Sequence, residues 1–188
     1  MKPLFTIHEG EYLVGNYIEQ NFKDWEVWIP SKDDGADFLI TNRNNRKKNV
    51  SLQVKYSKDY VPFQSVESQK HLRAWGWWSF SFDVLKKNIN KKAADFWVLA
   101  MQSFEEKKLD CIIINPTELD KLLSAIHGRK KSLQTYFWVS KNDKCYETRG
   151  LKKEQQNALL TGNTQSIKLD RIFTNYLNNW KPIIRSLT

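Results

Sequence analysis

The chain is poor in several residue types that define whole protein classes. Two cysteines in 188 residues cannot build a disulfide framework or a four-ligand zinc site. Cys111 and Cys145 stand in apolar, strand-like surroundings, where a small buried thiol is expected. Seven glycines and five prolines are too few for a collagen-like or low-complexity chain. The histidines His8, His71 and His127 lie far apart without paired spacing, which speaks against a zinc centre. The longest clear apolar run, Phe96-Trp97-Val98-Leu99-Ala100-Met101, is too short to span a bilayer. Residues 1–5 lack the apolar stretch of a secretory signal. The expectation is a soluble, cytoplasmic protein with no membrane partner. No phosphate-binding loop, dinucleotide fingerprint or nucleophile elbow occurs, which weakens ATPase, oxidoreductase and elbow-hydrolase readings.

What the chain has is hydrophobic material and positive charge. Hydrophobic residues make up 40% and aromatics 13%, enough for a core in one domain spanning 1–188. Thirty Lys and Arg against 21 Asp and Glu leave a net charge of +9. That excess favours a polyanionic partner, nucleic acid before an anionic membrane surface. A merely basic soluble protein has the same composition.

Periodicity predicts a helix over residues 7–22, where Leu13, Val14, Tyr17, Ile18 and Phe22 recur at helical spacing. Strands follow over 25–29, 36–41 and 50–57, with turn chemistry at 31–35 and a polar, basic connection at 42–49. This order suggests an antiparallel meander opening an α/β domain. Further on, 75–82 reads as extended and 83–90 as a short helix. Residues 94–101 and 109–115 read as buried strands. A helix over 118–126 stops at Gly128, and strands follow at 133–140 and 144–148. Helices are expected over 152–160 and 169–184. The core is expected within about 7–115, with about 116–188 as a C-terminal elaboration.

Three segments carry residues whose chemistry needs explaining. In Ser51-Leu52-Gln53-Val54-Lys55-Tyr56-Ser57, side chains alternate, so Gln53 and Lys55 project together from one face. A plain solvent-facing strand has the same pattern. In Gly35-Ala36-Asp37-Phe38-Leu39-Ile40, both faces contain apolar residues, so Asp37 is costly unless paired or bound to a cation. An Asp37–Lys55 ion pair is the plain alternative. With Glu11 set at 0° on a helical wheel, Ile18 falls at about −20°, Phe22 at about +20° and Val14 at about −60°. Glu11 thus lies inside the apolar arc, whereas Glu9 and Glu19, at about 160° and 80°, lie outside it. A position at the stripe's edge, reaching water, is the alternative for Glu11.

Taken in order, Gly10-Glu11-x-x-Val14, Asp34-Gly35-Ala36-Asp37 and Gln53-Val54-Lys55 resemble the PD-(D/E)xK nuclease superfamily. It includes restriction endonucleases and Holliday-junction resolvases. The likeness covers about 7–58. It implies a restriction-endonuclease-like core, with a central mixed β-sheet flanked by helices. It implies Asp37 as the metal-binding carboxylate, Lys55 as the catalytic lysine and Glu11 as the helix carboxylate. Gln53 stands where the commoner pattern has an acid, removing one negative charge from the site. Mg²⁺, or Mn²⁺ in its place, would take oxygen from Asp37, Gln53, the Val54 carbonyl and Glu11. Lys55 would orient the attacking water or stabilise phosphate charge. The implied activity is metal-dependent hydrolysis of double-stranded DNA, most simply restriction-type and by a homodimer. A junction-resolvase-like nuclease is one alternative. A non-catalytic DNA-binding module on a degenerate nuclease fold is the other.

Basic residues cluster in three places. The run from Arg43 to Lys58 holds Arg43, Arg46, Lys47, Lys48, Lys55 and Lys58 without an acid. Arg43, Arg46, Lys47, Lys48 and Lys58 are the candidate phosphate contacts, with a solvated loop as the alternative. Lys86, Lys87, Lys91 and Lys92 form a second cluster, and Arg129, Lys130 and Lys131 a third. Trp75, Trp77, Trp78, Phe80 and Phe82 invite base stacking, but the alternation of Trp78, Phe80 and Phe82 fits core packing better. The segment Cys145-Tyr146-Glu147-Thr148-Arg149-Gly150 has no chemical reading beyond a strand and turn.

Overall fold

The structure is a computed structural model describing residues 7–31, 35–103, 105–165 and 167–188. The expected turn residues Lys32, Asp33 and Asp34, and with them Asp34 of the nuclease-like pattern, lie outside the described residues, as do residues 1–5.

The protein is α/β. Helix α1 (Glu9–Asn21) leads into strands β1 (Trp25–Trp28), β2 (Phe38–Asn42) and β3 (Asn45–Ser57). A short helix α2 (Val66–His71), capped by Ser65, precedes β4 (Leu72–Ser81), helix α3 (Phe82–Lys91), β5 (Phe96–Gln102) and β6 (Leu109–Ile114). Helix α4 (Pro116–His127), β7 (Ser132–Ser140), β8 (Cys145–Glu147), α5 (Lys153–Leu160) and α6 (Lys181–Leu187) complete the chain. Two sheets form. One is mixed and five-stranded, ordered β1-β2-β3-β5-β6, and the other is three-stranded, ordered β4-β7-β8. The expected meander β1-β2-β3 is antiparallel, β5 runs parallel to β3, and β6 runs antiparallel to β5.

Alternation in β5 explains the layering. Val98 and Ala100 join Val14, Ile18, Leu52, Val54 and Ile183 in a core beneath α1 and α6. Trp97, Leu99 and Met101 join Trp78, Phe80, Leu85, Leu119 and Phe137 in a second core, between this sheet and the β4-β7-β8 layer with α3 and α4. Both faces of the central sheet are therefore covered, as a near-continuous apolar strand requires. Strand β7 pairs with β4, and α6 packs under the first sheet. Residues 116–188 are thus interleaved with 7–115 rather than appended to them. Among the described residues, no helix is long and apolar enough to cross a membrane.

Two expectations need correction. The connection at 42–49 is a tight hairpin: β3 already begins at Asn45, so Arg46, Lys47 and Lys48 stand on a strand. The helix expected over 169–184 is broken into 3₁₀ turns, Leu169–Arg171 and Thr174–Tyr176, followed by α6. The first break bonds to β8, where the Phe173 N–H donates to the Cys145 carbonyl at 2.8 Å, and Asn178 makes the second. Asn178 has a left-handed backbone (φ 50°), and its amide N–H donates to the Cys111 carbonyl while its Oδ1 accepts from the Cys111 N–H at 2.8 Å. Bonding to a neighbouring strand outweighs helical periodicity there. Pro182 lies in the first turn of α6, where a missing N–H costs nothing.

Candidate active site

The site arises because β3 outruns its neighbour. The Asp37 N–H donates to the Leu52 carbonyl at 2.7 Å, and the β2–β3 ladder pairs no residue beyond Phe38 with Leu52. Residues 53–57 of β3 continue with β5 alone, Gln53 facing Trp97 and Ser57 facing Met101. One edge of that stretch is left open, and Asp37, just before β2, folds its carboxylate onto it. Asp37 Oδ2 accepts the Val54 N–H at 2.8 Å and a hydrogen bond from Gln53 Nε2. N–H and C=O of one strand residue point to the same side, so the Val54 carbonyl faces the same open edge.

Glu11 reaches this place from α1. A Cβ on Gly10 would lie 2.2 Å from Tyr56 Cβ, so only glycine lets the helix start approach β3 this closely. Glu11 Oε2 also accepts the His8 N–H at 3.3 Å, which helps close the first turn of the helix. The result is a cavity of about 350 Å³ lined by Glu11, Asp37, Gln53, Val54 and Lys55, with His8, Gly10 and Tyr56 completing the wall. Glu11, Asp37 and Gln53 are 9%, 7% and 6% exposed. Glu11 is therefore on the buried stripe and not at a wet edge.

Lys55 places Nζ 5.9 Å from the centre of the Trp97 ring. Among the described residues it makes no ion pair, with Asp37 or any other acid. Tyr56 donates its hydroxyl to Glu9 at 3.3 Å. Burial, and then the charge of Glu9, raises that phenol above its usual range.

Among the described residues, no three His, Cys, Asp or Glu side chains gather closely enough to hold a metal ion. The cavity offers two carboxylates, one amide and one backbone carbonyl. All are hard oxygen donors of the kind Mg²⁺ takes while keeping several waters. Turning the Gln53 amide over would present its oxygen rather than its NH₂ group to a cation, at the cost of its hydrogen bond to Asp37. The donor set therefore fits a hard divalent cation, with one negative charge fewer than a three-carboxylate site.

No family model, curated protein or solved structure matches this chain.

The basic candidates are divided. Lys58 is exposed and follows the open stretch of β3 directly. Arg43, Arg46, Lys47 and Lys48 lie at the other end of the β2–β3 hairpin, and Lys47 is about 20 Å from Gln53 along the strand at ~3.3 Å per residue. They do not line the cavity. Arg46 forms a bidentate pair with Glu26 at 3.0 Å and lies over Trp28. That hydrogen-bonded pairing holds the Glu26 carboxyl below its usual range. Lys48 donates to the Thr188 carbonyl, and Arg43 Nε donates to the Trp25 carbonyl at 3.2 Å. The run is acid-free only in sequence, since Glu26 on β1 supplies the acid.

Tertiary structure also joins what sequence separated. Lys86 on α3 and Arg129, Lys130 and Lys131 after α4 line a second basic cavity. The 145–150 segment acquires a role through Glu147, which is fully buried. Glu147 accepts from His127 at 2.9 Å and Thr135 at 3.0 Å, and also from Arg171. It anchors the irregular C-terminal segment to β8. Cys111 and Cys145 are buried thiols whose pKa values burial pushes up, so neither is a nucleophile.

Proposed function

We propose that this chain is a divalent-metal-dependent DNA endonuclease with a PD-(D/E)xK-type site in a restriction-endonuclease-like core. The observation that carries the reading is the convergence of Glu11, Asp37, Gln53 and Lys55 on one polar cavity. They come from a helix, a strand entry and an open strand edge. The two buried carboxylates, with the Gln53 amide oxygen and the Val54 carbonyl, would hold the ion. A bound Mg²⁺ or Mn²⁺ supplies a polarised phosphate and an acidified water at neutral pH. Lys55 lines the cavity, where it would orient the attacking water or balance charge on the phosphate. The Val54 N–H fixes the Asp37 carboxylate through its hydrogen bond at 2.8 Å. Restriction-type cutting of both strands of a duplex with one such site per chain calls for two copies. The hairpin residues Arg43, Lys47 and Lys48 would then meet phosphates well away from the cut, and Arg46 only by leaving Glu26.

A second reading has its own observation. Asp37 Oδ2 is already bonded by Gln53 and Val54, which suits a structural aspartate in a non-catalytic DNA-binding module. Plasmid nicking with Mg²⁺ or Mn²⁺, with EDTA as control, separates the two. Asp37→Asn and Lys55→Ala are expected to abolish nicking while circular dichroism stays unchanged. Gln53→Glu restores the third carboxylate and is expected to lower the Mg²⁺ concentration needed for half-maximal rate. Folded Asp37→Asn and Lys55→Ala proteins that nick like the parent refute the site. DNA binding without any nicking supports the module.

A further inference from the structure

We infer that the outer face of the three-stranded sheet, next to the candidate active site, is a stacking platform for an unpaired nucleic-acid strand. Trp78 and Phe80 are buried in the core as alternation predicts, and the same alternation turns Trp75, Trp77 and their cross-strand partners outward. In the β4–β7 register, Trp75 faces Trp138 and Trp77 faces Tyr136. Tyr60 leans over this face, with ring centroids 6.1 Å from Trp75 and 6.0 Å from Trp77. Tyr136 lies edge-on to both tryptophans, at 6.1 Å and 6.3 Å. Trp77 is 42% exposed, and Phe63, whose ring neighbours Tyr60, is 79% exposed. A sheet that spends only one face on the core normally covers the other with polar residues. Here it carries joined aromatic rings: Trp138 is buried and Trp75 half-buried with Val61, Leu72 and Leu160, while Trp77 and the neighbouring Phe63 are exposed.

Charge decides what suits this face. Its acids are occupied. Asp59 accepts the Trp75 N–H at 3.1 Å and the Val61 N–H at 3.0 Å, and Glu67 is paired with Lys70 and His71. Cations stand at both of its ends. Lys58 stands exposed between Ser57, whose Oγ accepts the Trp77 N–H at 2.7 Å, and Asp59. At the far end, Trp75 and Trp138 pack with Leu160. Leu160 also lines a cavity of about 380 Å³ carrying Lys70, Lys141 and Lys144. Among the described residues, neither Lys141 nor Lys144 is in an ion pair. The sequence of surfaces is therefore catalytic cavity, Lys58, aromatic face, lysine-lined cavity. Bases with free π faces and a phosphate backbone match that alternation. A duplex hides its base faces and a protein partner need not be anionic. The inference names a substrate class for the site proposed above, an end, flap or loop with an unpaired strand. It rests on that reading only for its connection to cleavage.

Binding is tested without metal, in EDTA, by fluorescence anisotropy of a labelled 20-nucleotide single strand and of the matching blunt duplex. The parent is expected to prefer the single strand. Trp77→Ala is expected to weaken single-strand binding by about 5- to 150-fold, the range for one lost base–aromatic stack. It should change duplex binding less than about twofold, while Trp77→Phe keeps most of the affinity. Phe63→Ala, at a side chain too exposed to unfold the protein, should weaken single-strand binding in the same direction. Lys58→Ala should reduce the single-strand log–log salt slope by about 0.7. Folded Trp77→Ala and Phe63→Ala proteins that bind the single strand within twofold of the parent overturn the inference. So does a parent that ignores single strands, which leaves the face to a protein partner. A parent that binds the strand but never cuts refutes the nuclease reading alone, and one that cuts duplex but ignores single strands refutes the platform alone.

Discussion

Gly10→Ala separates positioning from folding at the candidate site. The added Cβ would meet Tyr56 Cβ at 2.2 Å and Tyr56 Cγ at 2.9 Å. These atoms sit beside the backbone of β3 and cannot swing aside. Reaching a contact of 3.4 Å requires the start of α1 and β3 to separate by about 1.2 Å. Overpacking of this kind costs about 1–3 kcal/mol, offset by up to about 1 kcal/mol from replacing glycine in a helix. A net loss of about 0–2 kcal/mol lowers Tm by at most about 8 °C in a chain of this length. Glu11, the next residue, moves with the helix start. A misplacement near 1 Å costs about 100-fold in rate when a group must meet a reacting centre. The expected signature is a near-normal melt with cleavage reduced about 100-fold at saturating Mg²⁺. Gly15→Ala is the internal control, because its Cβ would meet only the Phe38 ring, no closer than 3.4 Å, and should leave cleavage unchanged. A folded Gly10→Ala protein cutting within about threefold of the parent refutes the role given to Glu11 and to its close approach.

Stability should depend on the ion pair that ties the two sheets together. Arg73 on β4 makes two hydrogen bonds to Asp110 on β6, at 2.9 and 2.8 Å, and both side chains are buried. Arg73→Ala strands the Asp110 carboxylate and should cost about 3–5 kcal/mol, a Tm drop of about 6–20 °C. Arg73→Met with Asp110→Leu should recover much of it, and an Arg73→Ala melt within about 2 °C of the parent contradicts this. The acid limb has a defined sign. Arg73, chiefly through its hydrogen bond, holds the Asp143 carboxyl below its usual range. Its contribution is present above the ordinary carboxylate pKa and is lost as pH falls through the lowered folded value. Melts of Asp143→Asn against the parent, from pH 6 downward, should therefore converge as the pH drops.

Local chemistry already determined much of this protein. The helical stripe around Val14 and Ile18, the three following strands and the doubly apolar β5 are periodicities of the chain, and each forms because nearby residues share one face. Glu11 could be selected by its place on that stripe, and Gln53 with Lys55 by strand alternation. Other features depend on which strands become neighbours, and periodicity is silent about that. Arg46 reads as a free cation until β1 brings Glu26 beside it. The stretch 169–184 reads as a helix until Asn178 finds Cys111 on β6. Alternation puts Trp78 and Phe80 on one face, but what covers the face of Trp75 and Trp77 is undecided until β7 pairs with β4. The cavity itself depends on β2 ending one residue short of Gln53, a matter of register between strands. Sequence thus determined which side chains share a face of one element. Tertiary structure decided which faces meet, because hydrogen bonds and ion pairs between distant segments form only once the chain has closed the loops between them.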